Sequence, residues 1–134
     1  RACIEAVRDG TIDVICSAHD PRGPEAKRLP FADADPGAAG AETLLSLSLG
    51  LVRDGVVSME RLFELLSLNP SRLIGVDSGR LEAGAPADLV FFDPDSPWQI
   101  DAAKFVGQAG NTPFDKLPVQ GRVLKTMKGG RDLS

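Results

Sequence analysis

The stretch Ile12-Asp13-Val14-Ile15-Cys16-Ser17-Ala18-His19-Asp20-Pro21 decides how the chain is interpreted. Its first five residues form an apolar run with β-branched members, and such a run between Gly10 and Pro21 is typical of a buried strand of a parallel sheet. Polar residues follow directly, at the place where α/β barrels build their sites. The sequence therefore predicts a buried strand over 12–16 and a candidate site in the residues just after it.

Size, charge and cysteine content narrow the class of protein. The 134 residues suit one ordinary domain but are too few for a complete eight-stranded α/β barrel, so we expect the C-terminal part of a longer protein. The net charge of −4 argues against a nucleic-acid surface, and no apolar run approaches the roughly 18 residues of a membrane span. With no secretory leader, a cytoplasmic location is predicted. Cys3 and Cys16 lack metal-site spacing and are expected to be free, small core residues.

Residues 40–74 have the sequence pattern of helices. Leucines recur from Gly40 to Asp54 around much of one helix, which should therefore be largely buried. Ser58 is a good N-cap for a second amphipathic helix. Asn69 before Pro70 predicts the start of a short third helix that ends at Ile74.

Composition changes after Gly75 to short β-prone runs separated by Gly, Pro and Asp, which predicts a boundary between residues 1–76 and 77–134. Strands are predicted over 87–93 and 122–128, with a weaker one over 98–100. Asp93-Pro94-Asp95 is expected to form a turn. Residues 101–117 have mixed signals and are expected to run over the surface as a loop.

The motif after the predicted strand resembles that of the dihydroorotases, which are cyclic amidohydrolases. In that family the strand ends in Ser-Asp-His-Ala-Pro; Ser17, His19 and Pro21 match it, while Ala18 stands at the position of the Asp. The similarity continues along nearly the whole chain, in the family's order. Its further landmarks are Glu25-Ala26-Lys27, Pro30-Phe31, the segment from Pro36 to Thr43, Asn69-Pro70-Ser71-Arg72-Leu73, Gly84-Ala85-Pro86-Ala87-Asp88-Leu89 and Asn111-Thr112-Pro113-Phe114.

The resemblance implies an α/β fold that is the C-terminal fragment of a larger enzyme. Residues 1–76 would supply the last strand and following helices of an amidohydrolase (β/α)8 barrel, and residues 77–134 part of a small composite β-sandwich domain. The parent reaction would be the metal-dependent, reversible hydrolysis of dihydroorotate to carbamoyl aspartate in pyrimidine biosynthesis, with zinc as cofactor. This chain alone is expected to be inactive and to hold no metal, because nearly all the family's ligands lie outside it.

The site residues that the resemblance implies lie in two segments. In the family, the acid at the position of Ala18 binds metal and moves a proton, and a methyl group can do neither. Asp20 is a weak stand-in, since two residues along a strand displace a side chain by roughly 6–7 Å. His19 would help to hold the carboxylate of the substrate. Pro36, Gly37 and Gly40 would lie against its ring.

Three functions stay open at this point. Besides the dihydroorotase, the replacement of the acid by Ala18 fits a noncatalytic relative that acts as a partner of aspartate carbamoyltransferase. Another cyclic amidohydrolase, of the allantoinase or hydantoinase type, is the third. The expected partners are the rest of the chain's own barrel or a second copy, and a small-molecule substrate if the protein is active; neither nucleic acid nor membrane is expected.

Overall fold

A computed structural model describes residues 1–107 and 109–133 as a mixture of helices and one antiparallel sheet. The helices lie in the front half of the chain and the strands in the back half. The helices are α1 (Ala2–Arg8), α2 (Pro24–Lys27), α3 (Leu44–Arg53), α4 (Met59–Phe63) and α5 (Asn69–Ile74), with a π-helical turn at Glu64–Leu68. The strands are β1 (Leu89–Gln99), β2 (Pro118–Lys128) and β3 (Arg131–Asp132), and a 3-10 turn spans Ala102–Lys104.

The predicted buried strand over 12–16 is not a strand in the structure, and this prediction was wrong for the chain. A strand needs a neighbour to accept and donate its backbone hydrogen bonds. Within residues 1–107 and 109–133, no strand lies beside this segment. The Ile15 amide instead donates to the carbonyl oxygen of Leu65 at 2.9 Å, so a helix takes the place of the expected sheet partner.

The cysteines are free, as predicted, but neither is a core residue. Cys3 lies on α1 and Cys16 ends the 12–16 segment, and both are exposed. The exposure of Cys16 has the same cause as the missing strand, because the side chains of this segment have no second layer of structure above them.

Helix α3 begins later than the leucine pattern predicts. Residues 41–43 form a turn before it, and the buried Thr43 hydroxyl donates to the Gly40 carbonyl oxygen at 3.1 Å. Leu49 is buried, but most of the other leucines of the helix are only half-buried. The expectation of a largely buried helix therefore holds for one face.

The second helix is capped as predicted and the third is not. Ser58 Oγ accepts a hydrogen bond from the Arg61 amide at 3.2 Å at the start of α4. Asn69 does not cap α5, because the chain remains helical through Glu64–Leu68 and joins α5 without a break. The Asn69 side chain instead donates to the Asp13 carbonyl oxygen at 2.8 Å, which ties the helix to the segment before His19.

The sheet has the order β1-β2-β3 with antiparallel neighbours. The two predicted strands over 87–93 and 98–100 are parts of one strand, β1. The expected turn at Asp93-Pro94-Asp95 is an irregularity inside it: the register with β2 shifts between Asp93 and Pro97, and Asp93 Oδ1 accepts from the Asp95 and Ser96 amides at 3.0 and 3.2 Å. Local turn chemistry thus bends the strand without ending it.

Residues 101–117 run as a loop with one 3-10 turn, broadly as predicted for their described part, 101–107 and 109–117. The last two residues of the loop pair with the fully buried Ile100, which directly precedes the loop. The Ile100 amide donates to the Leu117 carbonyl at 3.0 Å, and the Lys116 amide donates to the Ile100 carbonyl at 2.8 Å.

Helix α3 packs on β2 through a close contact at Gly121, which is buried with a φ of +96°. The Gly121 carbonyl oxygen accepts two hydrogen bonds, from the Ser46 hydroxyl at 2.6 Å and from the Trp98 indole nitrogen at 2.9 Å. A Cβ atom at Gly121 would overlap Leu49 Cδ1. The helical and sheet parts of the chain therefore share a core at this point, while the proposed division at residue 76 stays a prediction.

Asp88 fastens the turn between β2 and β3. Its carboxylate accepts from the Lys128 ammonium and, at 2.7 Å, from the Gly129 amide. These two hydrogen bonds, the first above all, lower the pKa of Asp88 from its ordinary value of 3.8.

A lowered folded-state pKa gives a stability that is present above the unfolded pKa and lost as the pH falls through the folded one. We therefore expect Asp88→Asn to flatten the acid limb of stability against pH, measured by urea unfolding from about pH 5 to about pH 2. The unaltered chain, measured under the same conditions, is the reference. An equally steep limb in Asp88→Asn would contradict the assignment.

Among the described residues, none of the helices combines the length and the apolar character that a bilayer-crossing helix requires.

Candidate functional site

The predicted site residues lie in two segments that the fold brings side by side. His19 and Ala38 form an isolated parallel bridge, and the Asp20 amide donates to the Ala38 carbonyl oxygen at 2.9 Å. The segment 17–20 therefore runs along the loop that contains Pro36, Gly37 and Gly40. All five polar or loop positions that the sequence singled out belong to one neighbourhood.

Ala18 has a φ of +46°, which is the left-handed region of the backbone. Apart from glycine, Asn and Asp adopt that region most readily, and a Cβ atom there meets the following carbonyl oxygen. The residue is exposed and its methyl group offers no donor or acceptor. The backbone at this position thus suits the Asp of the dihydroorotase motif better than the Ala that occupies it.

We expect Ala18→Gly to stabilise the chain by about 0.5–1 kcal/mol, since relief of the left-handed strain exceeds the added freedom of the unfolded chain. Ala6→Gly, inside α1, is the matched control with the opposite sign, because glycine in a helix costs about 1 kcal/mol relative to alanine. Urea unfolding of both variants measures the pair. Destabilisation of similar size in both would show that Ala18 is unstrained.

His19 is held by the first residues of the turn that leads into α3. Its Nδ1 atom accepts hydrogen bonds from the Gly40 amide at 3.1 Å and from the Ala41 amide at 3.2 Å. A ring nitrogen that accepts carries no hydrogen, so the neutral imidazole has its hydrogen on Nε2. The ring is exposed, and Nε2 is therefore placed as a hydrogen-bond donor toward an acceptor outside the chain.

The two glycines of the loop are sites of close backbone approach. A Cβ atom at Gly40 would lie 2.6 Å from the Ser17 carbonyl oxygen. Gly37 has a φ of +107°, and a Cβ atom there would lie 2.6 Å from the Asp20 carboxylate. Only glycine fits these positions without displacement of the neighbouring segment. The loop can therefore lie directly against residues 17–20.

The Asp20 side chain contacts neighbouring residues of this chain, Arg22 and Gly37. Its carboxylate pairs with the Arg22 guanidinium at 2.9 Å and packs against Gly37. Both partners of the ion pair are partly exposed. These contacts assign Asp20 a role in holding the loop, and its use as a stand-in for the missing acid remains a prediction.

Three side chains that the sequence reading did not single out as site residues also contact this loop: Arg22, Lys27 and Asn111. Lys27 and Asn111 belong to motifs that were used only as landmarks of the resemblance. Their place inside those motifs was the available signal, but a motif does not show what its side chains touch.

Glu42 joins the site to the long loop after β1. Its Oε1 atom accepts from the Val106 amide at 2.9 Å and from the Gly107 amide at 3.4 Å. The carboxylate is therefore a structural anchor for that loop.

The part of the chain that the structure describes does not fit a metal centre of its own. Within residues 1–107 and 109–133, no three His, Cys, Asp or Glu side chains form a group that could hold a metal ion. Ala18 has no ligand atom, and the Asp20 carboxylate is paired with Arg22. A divalent metal needs several oxygen or nitrogen ligands at one point.

An apolar groove with a volume of about 650 Å³ lies elsewhere, between the helices and the sheet. Apolar side chains such as Leu45, Phe63, Leu66 and Phe92 line it, and none of the predicted site residues does. The groove and the polar site are therefore separate features.

Comparison with known proteins matches residues 1–133 to the amidohydrolase family. The chain is 47% identical over 130 residues to a dihydroorotase of Desulforapulum autotrophicum, with 97% of the chain and 30% of that protein covered. It is 39% identical over 127 residues to a dihydroorotase of Geobacter metallireducens, with 95% and 30% covered. The chain thus spans about 30% of the length of these relatives.

Two solved structures superpose on nearly the whole chain. The L-hydantoinase (dihydropyrimidinase) of Arthrobacter aurescens superposes with a TM-score of 0.90 at 34% identity, with 98% of the chain and 31% of that structure covered. A dihydropyrimidinase of Brevibacillus agri superposes with a TM-score of 0.92 at 23% identity, over 98% of the chain and 30% of the structure, which supports the fold alone. From the match over nearly its whole length, the chain belongs to the amidohydrolase family.

Proposed function

We propose that the chain is the C-terminal part of a dihydroorotase-type enzyme whose parent protein reversibly hydrolyses dihydroorotate to carbamoyl aspartate in pyrimidine biosynthesis. The observation that carries the proposal is the high identity to proteins named dihydroorotase over nearly the whole chain. In this proposal, residues 1–76 complete a (β/α)8 barrel and residues 77–134 belong to a composite β-sandwich. The proposed location is the cytoplasm.

His19 is the residue of this chain that we assign to the substrate. Its Nδ1 atom is occupied by the Gly40 and Ala41 amides, which leaves Nε2–H as a fixed donor. A carboxylate accepts such a hydrogen bond well, and dihydroorotate carries one. The same two hydrogen bonds hold the ring of His19 against the loop of Pro36, Gly37 and Gly40, on which the ring of the substrate would lie.

We propose zinc as a cofactor of the parent protein, and not of this chain alone. Because the described residues of this chain do not form a metal site, we assign no step of the reaction to a metal and expect the ligands to come from outside residues 1–134. The proton-shuttling acid of the family is likewise missing at Ala18. Asp20, or a group outside the chain, would have to supply it.

The alanine at position 18, where the family has an acid, favours a second function. A noncatalytic dihydroorotase-like partner, one that stabilises aspartate carbamoyltransferase in a shared assembly, would tolerate Ala18 at the position of the acid. A third function is hydrolysis of hydantoins and related cyclic amides, which the similarity to the L-hydantoinase at 34% identity supports.

One experiment separates these functions. The purified parent protein is assayed with dihydroorotate, carbamoyl aspartate and hydantoin, and is mixed with aspartate carbamoyltransferase on a size-exclusion column. The proposal predicts turnover of the first two compounds in opposite directions. Turnover of hydantoin alone would favour the third function. No turnover together with a stable complex would favour the noncatalytic partner.

A further inference from the structure

Three side chains from separate parts of the chain hold the loop at residues 35–39, here called the substrate loop. Arg22 and Lys27 precede it, and Asn111 follows it by more than seventy residues. Together they contact three consecutive carbonyl oxygens of the loop, those of Asp35, Pro36 and Gly37. The path of the loop is therefore set by side chains, and not by regular secondary structure.

Asn111 contacts both the substrate loop and Arg22. Its Nδ2 atom donates to the Gly37 carbonyl oxygen at 3.0 Å, and its Oδ1 atom accepts from the Arg22 amide at 3.1 Å. Its own carbonyl oxygen accepts from the Ala39 amide at 2.9 Å. The residue is half-buried, so these hydrogen bonds are partly shielded from water. Asn111 thus holds the loop on both sides of Ala38, the residue that pairs with His19.

The cations complete the arrangement. Lys27 Nζ donates to the Asp35 carbonyl at 2.6 Å and to the Gly37 carbonyl at 3.0 Å. Arg22 Nε donates to the Pro36 carbonyl at 3.2 Å, while its Nη2 atom is paired with Asp20. With its carbonyl oxygens held by these donors, the loop has a fixed orientation beside His19. Charged donors make stronger hydrogen bonds to carbonyl oxygens than neutral ones do.

We propose that Asn111 is a positioning residue for substrate binding, whose side chain acts by fixing the Gly37 peptide against the segment of His19. This inference rests on the proposed function, since it takes the substrate loop as the surface that meets the dihydroorotate ring. Asn111 itself is not proposed to contact a reacting atom. Its removal should therefore weaken ground-state and transition-state binding alike.

The test compares two asparagines in the parent protein. Asn111→Ala removes the contacts to Gly37 and Arg22, and Asn69→Ala removes a similar side-chain bond to a backbone carbonyl at Asp13, away from the loop. We expect Asn111→Ala to raise the KM for dihydroorotate about tenfold and to change kcat less than about twofold. Amide hydrogen exchange at residues 37–41 should also accelerate in this variant. Asn69→Ala should show neither change.

The outcomes are distinguishable. If the unaltered protein turns over dihydroorotate and Asn111→Ala matches Asn69→Ala in KM and in exchange, the positioning role is overturned. A fall in kcat with KM unchanged would also overturn it. If the unaltered protein has no turnover, the proposed function fails, and exchange still decides the structural part: unchanged exchange at residues 37–41 means that Asn111 does not hold the loop.

Discussion

The Gly121→Ala variant of the chain is expected to lose about 2–4 kcal/mol of unfolding free energy, from overpacking against α3 and from a backbone conformation that alanine rarely adopts. The new methyl group would overlap Leu49 Cδ1, and Leu49 is only 2% exposed and has little room to move. A shift of the strand would also strain the hydrogen bonds that Ser46 and Trp98 donate to the Gly121 carbonyl. Trp98 is the only tryptophan, so its fluorescence reports urea unfolding at this contact.

The matched control is Gly129→Ala. Gly129 also has a positive φ, +54°, but nothing lies within 4 Å of a Cβ atom there. This variant should lose only the conformational part, about 1 kcal/mol. Equal losses in the two variants would mean that the Leu49 contact adds nothing, and that α3 and β2 are not packed as described.

The His19→Ala variant of the parent protein is expected to have a kcat/KM for dihydroorotate that is roughly 100-fold lower. The substrate carboxylate loses a hydrogen-bond donor, and the Gly40 and Ala41 amides lose their acceptor. Two further variants separate these effects. Asparagine reaches the position of Nδ1 and keeps an acceptor for the Gly40 and Ala41 amides, but it has no atom at Nε2. Glutamine reaches the position of Nε2 and keeps a donor there.

If His19 binds the substrate carboxylate, His19→Gln should retain more activity than His19→Asn. The reverse order would mean that the residue serves mainly to hold the loop. Hydrogen exchange at Gly40 and Ala41 provides the control, since it should stay slow in His19→Asn and become faster in His19→Gln. Activity of all three variants within a fewfold of the unaltered protein would contradict a role in the site.

Local signals in the sequence predicted local structure well. The Ser58 cap follows from its own side chain and the three residues after it. The strand predicted over 122–128 lies within β2, which begins earlier, at Pro118. The continuous helix through Asn69 was missed because packing of Leu65 keeps the chain helical where the Asn-Pro pair alone predicts a new start. Local preference is a weak prior that tertiary packing overrides.

Long-range features could be predicted only in part. The segment 12–16 has the composition of a buried strand, but strand formation depends on a neighbour that composition does not provide. The site was predicted as two segments, and the structure joins them through Ala38 and His19. The contact of Asn111 with Gly37 spans 74 residues, and no periodicity or spacing predicts such a pair. The left-handed backbone of Ala18 could not be predicted either, because alanine is not a residue that indicates a turn.

Whether the parent protein is a dihydroorotase is decided by measuring bound zinc and dihydroorotate hydrolysis in it, beside an Ala18→Asp variant. We expect stoichiometric zinc and turnover in the unaltered protein, with Asp20 or a group outside residues 1–134 in place of the missing acid. Absence of both zinc and turnover, even after Ala18→Asp, would contradict this expectation. The site would then have been lost at several positions, and the fold would serve as a noncatalytic partner.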